Sequence, residues 1–205
     1  MKKSIIFFIA IFASFILISC GSEDSEKYKK DNKIDELLDN AEYAKDHNVY
    51  NDAISYNDAI IGIQTKIIMK MLELDWENLS GVRKQLSILQ EEIKIALTTV
   101  TKIYYIGDSN QRFKKTALKL FNFYDRIVRL DYVAMYELSN DINNEEDYDI
   151  ANESFLELNK IVEKLSAEEG IIELEFQEAQ KSFARENRTF IDPSAHPLQE
   201  EIDAL

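Results

Sequence analysis

The sequence is poor in nearly everything that breaks or staples a chain. Its 205 residues hold one cysteine, two prolines and five glycines. A lone cysteine excludes an internal disulfide, and with it the small disulfide-stapled scaffolds. The prolines stand at 193 and 197, so none interrupts residues 1–192, which disfavours a sheet-rich fold that turns at Gly and Pro. Histidine is limited to His47 and His196. A di-iron bundle needs Glu-x-x-His pairs, but Ala44 and Pro193 stand three residues before the two histidines. A histidine zinc site and a Ser-His-Asp triad lack their imidazoles in the same way. No G-x-S-x-G, Walker loop or dinucleotide fingerprint occurs. We therefore expect no enzyme, no catalytic residue, no metal and no cofactor.

Positive charge is also scarce. The chain has 24 Lys and Arg against 38 Asp and Glu, a formal net charge of −14. Such a surface repels phosphate backbones and anionic headgroups, so a nucleic-acid partner is not expected.

What is present begins with Lys2 and Lys3, followed by an almost wholly apolar run from Ile5 to Ile18. Fourteen residues at about 1.5 Å each span about 21 Å, short of the roughly 30 Å hydrocarbon core of a membrane. A charged start and a short apolar stretch form a secretory leader, expected over residues 1–19. Its end, Leu17-Ile18-Ser19-Cys20, resembles a bacterial lipobox. The resemblance implies cleavage before Cys20, a diacylglyceryl thioether on its sulfur and attachment to the cell envelope, with the outer membrane as the expected place, facing the periplasm or the surface. One acyl chain holds a protein only marginally and two hold it stably. The polar, acidic residues 20–48, beginning Gly21-Ser22-Glu23-Asp24, then read as a lipidated tether with one short helix over about 33–46.

From residue 49 to 190 the spacing predicts four amphipathic helices. The first, over about 49–75, carries Ala53, Tyr56, Ile60, Ile63, Ile67, Met71 and Leu74 on one stripe, with Gly62 available for close packing. The second, over about 80–103, carries Val82, Leu86, Leu89, Ile93, Ala96, Val100 and Ile103, with Ser80 as N-cap. The third, over about 109–140, carries Phe113, Ala117, Leu120, Tyr124, Ile127, Ala134 and Leu138, capped by Asp108 or Ser109. The fourth, over about 145–188, carries Phe155, Leu158, Val162, Leu165, Glu169, Ile172, Phe176, Ala179 and Phe183, and being longer is expected either to kink at Gly170 or to project beyond its neighbours. Short links between such helices suit an all-α, antiparallel up-down-up-down four-helix bundle. Residues 191–205 read as an irregular tail.

Three stretches are candidate sites. Asp141, Asn143 and Glu145 fall where an EF-hand places its first ligands, but Glu146 replaces the required glycine and Asn152 the bidentate glutamate, so an acidic helix start is favoured. Glu169 is a carboxylate on an apolar stripe: either it pairs with a base or reaches solvent, or it faces a ligand between helices. Tyr104 and Tyr105 gather at one bundle end, either as a hydrophobic plug, alongside Trp76, or as an interface for another envelope protein.

The segments YNDAIIGIQTKI, KKTALKLFNFYDRIV and FQEAQKSFARENR resemble all-helical bacterial surface lipoproteins of spirochaetes and Bacteroidetes. That resemblance implies a helical fold at the envelope and transfers no active-site residue. The function expected is a membrane-anchored envelope lipoprotein acting as a non-enzymatic protein- or envelope-binding module; the alternative is a small-ligand carrier using a cavity between helices.

The anchoring expectation is checked by the mass of the N-terminal peptide of protein extracted from cells. It should begin at Cys20 and carry acyl chains, and Cys20→Ser should move the protein out of the membrane fraction. An unmodified Cys20 in membrane-bound protein would contradict it.

Overall fold

The computed structural model describes residues 19–20, 48–76, 78–144, 148–189 and 191–192. The expected leader up to residue 18, the tether between residues 21 and 47, both histidines and most of the tail lie outside these residues. Of the described region 86% is helical, and the fold is all-α with four helices. Helix α1 is Ala53–Leu72 and α2 is Leu79–Lys102. Helix α3 spans 112–144 in three continuous pieces: Arg112–Arg126, a π segment Ile127–Asp131, and Tyr132–Asn144. Helix α4 is Tyr148–Glu186, 39 residues without a break at Gly170. Among the described residues no helix is long and apolar enough to cross a membrane.

The stripes read from sequence form the core. All seven residues of the α2 stripe are buried, and so are Tyr56, Ile60, Ile67, Phe113, Leu120, Leu165, Phe176 and Phe183. Each apolar side chain withdrawn from water stabilises by about 1.5–3 kcal/mol, which is what holds four amphipathic helices together.

Polar contacts at seven-residue spacing fix how the helices meet. Between α3 and α4, Arg112 donates to Ser182 at 3.4 Å, Lys119 pairs with Glu175, and Arg126 pairs with Glu168 at 2.7 Å. Each step of seven up α3 is a step of seven down α4. Between α1 and α4, Gln180 donates to Asn57 at 2.8 Å and Gln64 to Glu173 at 3.4 Å, again seven apart on both helices. This is the period at which a 3.6-residue helix keeps one seam toward a partner.

Four short strands complete the description. Asn48–Val49 (β2) pairs in parallel with Ile103–Tyr104 (β3), and Ser19–Cys20 (β1) pairs antiparallel with Ile191–Asp192 (β4). Beside β3 the loop into α3 is pinned by Asp108, only 3% exposed. Its carboxylate accepts from the amides of Phe113 at 2.9 Å and Lys114 at 3.0 Å, and from the Tyr56 hydroxyl at 2.8 Å. Asp108 therefore caps α3 and ties it to α1 at once. The Tyr56 ring packs on Tyr50, Tyr105, Phe113 and Phe183, and burial with the neighbouring carboxylate holds its hydroxyl protonated far above the usual range. Gly107 is required here, because a Cβ would fall 2.3 Å from the Asn187 side chain and 2.4 Å from the Tyr105 ring.

Several local expectations need correction. Helix α2 begins at Leu79 behind Asn78, and Ser80 lies inside it, donating to the Asn78 side chain at 2.7 Å. Gly62 is exposed, with open space around it, so it serves no close packing. Asp141 and Asn143, expected at an acidic helix start, sit within the helical end of α3.

Asp108→Ala removes a helix cap, about 0.5–2 kcal/mol, and leaves the Tyr56 hydroxyl buried without its partner, about 1–3 kcal/mol. Urea unfolding followed by circular dichroism should show a loss of about 2–4 kcal/mol. A loss below about 0.5 kcal/mol, the range of ordinary surface changes, would contradict the role given to Asp108.

Candidate functional site

A regular helix through α3 would carry its seam from Ile127 to position 131, which is an aspartate. The regular helix breaks there by one inserted residue, and the largely buried aspartate is paired with a base. The amide of Tyr132 bonds to the carbonyl of Ile127, an i→i+5 step. Such π segments rotate everything beyond them and recur at functional sites. Asp131 is turned toward Arg126, 3.1 Å away, and Arg126 also holds Glu168 of α4. Tyr132 and Ser139 become the buried residues of the rest of α3, while Ala134 and Leu138, expected on the seam, are only half-buried.

Beyond the π segment the helices enclose a partly open cavity of about 50 Å³. Ile68 and Met71 of α1, Tyr124, Tyr132 and Met135 of α3, and Phe155, Leu158, Val162, Leu165 and Glu169 of α4 line it, with Trp76 from the α1–α2 link. The Trp76 ring stands edge-on to Tyr132 at 5.5 Å and 90°. A single water needs about 10–15 Å³, and a void of about 150 Å³ takes benzene. The space therefore admits a slim group as it stands, and the two methionines can shift for a larger one.

Two carboxyls lie one turn apart on α4: Glu169, which lines this cavity, and Glu173 next to it. Glu173, 3% exposed, accepts from the Tyr124 hydroxyl at 2.6 Å and from Gln64 at 3.4 Å. Burial raises its pKa, and these two donors oppose the rise. Glu169 lines the cavity and, among the described residues, meets no hydrogen-bond donor or cation that would hold it ionised. Burial first, then the neighbouring Glu173, push its pKa up to about 8. Around neutral pH most Glu169 is thus protonated. The Tyr132 hydroxyl is held protonated by burial and then by Glu169; burial and then Glu173 do the same for Tyr124.

Of the residues singled out from sequence, Glu169 lies at the cavity, and so does Trp76. Tyr104 and Tyr105 do not. Tyr104 belongs to β3, and Tyr105 is half-buried, packed 5.5 Å from Tyr56 and 6.0 Å from Phe183. Phe183 is fourteen residues from Glu169, about 21 Å along α4, so the aromatic end and the acid are separate places. Cys20 belongs to β1. Glu173, Gln64 and Tyr132 were not singled out from sequence as site residues. The available signals were the seven-residue spacing of Asn57 with Gln64 and of Glu173 with Gln180, and the aspartate at 131. Comparison of the chain with protein-family models, curated proteins and solved structures finds no match.

Ionising Glu169 in place opposes folding. Its folded pKa lies above its unfolded value, so the folded state binds more protons between about pH 4.5 and 8. Stability is greatest below that window, falls as pH rises through it and levels off above it. Glu169→Gln should flatten that fall and stabilise the protein at pH 8 more than at pH 5, at about 1.4 kcal/mol per pKa unit removed as an upper bound. Urea midpoints across pH 4–9 test this; a parallel offset at every pH would contradict it.

Proposed function

We propose that this chain is a non-enzymatic binding protein of the bacterial cell envelope that carries a small apolar ligand in the cavity beside Glu169. Its helices form an antiparallel up-down-up-down bundle, and acyl chains on Cys20 hold it to the membrane. The observation that carries the binding reading is the cavity itself. It is a concave, largely apolar space with a few polar groups converging on it, the usual form of a small-ligand site, and it lies beside a π segment.

The heptad-spaced contacts support the antiparallel reading. Paired positions run in opposite directions on α3 and α4 and on α1 and α4, while a six-residue link joins α1 to α2. The envelope placement rests on Leu17-Ile18-Ser19-Cys20 and the apolar run before it. A protein partner at Tyr104 and Tyr105 has less in its favour, because the Tyr105 ring is taken up by Tyr56 and Phe183.

Trp76 is the one tryptophan of the chain and lines the cavity, so it reports occupancy directly. Titrating the full chain with primary alcohols from butanol to decanol should change its fluorescence saturably. Affinity should rise by about 0.8 kcal/mol per methylene until the cavity is filled and then level off. Leu158→Phe, which fills the space, should weaken binding at least tenfold. No saturable change at any chain length, or affinity untouched by Leu158→Phe, would overturn the proposal.

A further inference from the structure

We infer that the ligand is an organic cation: an apolar body bearing an ammonium group, which seats its positive nitrogen between the Glu169 carboxylate and the rings of Trp76, Tyr124 and Tyr132. The inference rests on reading the cavity as a binding site and assigns the chemistry of its occupant.

Three features point to positive charge. The first is the balance of groups around Glu169. On its own helix it faces Glu173. From α3 it faces Tyr132 and Tyr124, both held neutral. From α1 come Gln64, which bonds to Glu173, and Ile68, which lines the cavity; neither carries charge. Arg126 of α3 is already engaged by Asp131 and Glu168. The site thus holds two acids and no resident cation among the described residues.

The second is the wall. Trp76, Tyr124, Tyr132 and Phe155 line the same cavity as the one carboxyl, Glu169. Aromatic faces attract a cation within about 6 Å of the ring centre, and desolvation strengthens that attraction to about 2 kcal/mol or more. Cages of rings with an acid suit ammonium groups better than neutral or anionic heads. The third is the remainder of the lining: Ile68, Met71, Leu158, Val162 and Leu165 are apolar and Ser139 adds a single hydroxyl, so the body of the ligand is mainly aliphatic or aromatic. A carboxylate ligand would place a third acid beside Glu169 and Glu173.

Binding and proton release are linked. An ammonium favours the ionised carboxylate, so Glu169 sheds its proton as the cation enters. Around neutral pH binding should therefore release a proton and tighten as pH rises toward about 8.

The test uses the full chain and three probes with one body: hexyltrimethylammonium, 1-hexanol and hexanoate. The quaternary head cannot titrate, so any proton released comes from the protein. Calorimetry in two buffers of different ionisation enthalpy at pH 7 counts the protons, and Trp76 fluorescence reports the site. The cation should bind at least tenfold more tightly than either other probe. Most of one proton should be released. Glu169→Gln should reduce the preference and abolish the release. Equal or tighter binding of hexanol or hexanoate would overturn the inference and leave the cavity reading standing. A cation preference and a proton release both unchanged in Glu169→Gln would overturn it as well. Failure of all three probes to bind at Trp76 would overturn both.

Discussion

The buried carboxyl of Glu173 is the constraint on which the rest of the molecule turns. An acid only 3% exposed is tolerated when hydrogen bonds replace its water. Tyr124 of α3 and Gln64 of α1 supply them, so one carboxyl of α4 ties three helices together. Apolar side chains alone would let helices slide, because Leu, Ile and Phe are interchangeable partners at similar volume. A polar group that must meet its donors permits one register. The Asn57–Gln180 contact, one heptad away, repeats that demand, and the ladder of Arg112, Lys119 and Arg126 against Ser182, Glu175 and Glu168 carries it along α3.

With the register fixed, the position of Glu169 follows. It stands one turn from Glu173, on the same face of α4, and lines the cavity together with Tyr124 and Tyr132, which flank the π segment. Arg126 there is engaged by the carboxylates of Asp131 and Glu168. The two acids therefore have opposite surroundings. Glu173 is satisfied and structural, whereas Glu169 faces space. A protein that needed only stability would gain by placing a leucine at 169, as apolar replacements of buried ionisable groups commonly stabilise. Retention of an acid beside a cavity is the kind of local cost that function explains.

Much of this was legible in the sequence, and the boundary has physical causes. Four stripes of apolar residues at helical spacing located four helices to within a few residues, because burying one face of a helix imposes that period on the sequence. Asp108 could be read as a cap, since a carboxylate before a helix has orphan amides to satisfy; its second bond, to Tyr56, spans 52 residues and leaves no local trace. Glu169 stood out as an acid on a greasy stripe. Glu173 did not, because a glutamate beside a stripe ordinarily points to solvent. Its burial depends on Tyr124 and Gln64, which come from two other helices. The π segment was missed for a related reason. A strict 3–4 alternation skips from Ile127 to Ala134 without asking what occupies 131, yet the aspartate there was the one visible sign that the regular seam had to break. Cavities are differences in packing between distant segments, and no single stretch of sequence encodes one.

The most direct measurement of the central claim is a side-chain carbon NMR titration of full-length protein with carbon-13-labelled glutamate carboxyls, the Glu169 signal being assigned from Glu169→Gln. The Glu169 carboxyl should titrate near pH 8, apart from the exposed glutamates. Addition of hexyltrimethylammonium should bring its midpoint down toward the ordinary carboxylate range. A Glu169 signal that titrates with the exposed glutamates near the ordinary value of about 4.3, with no response to the cation, would contradict the account.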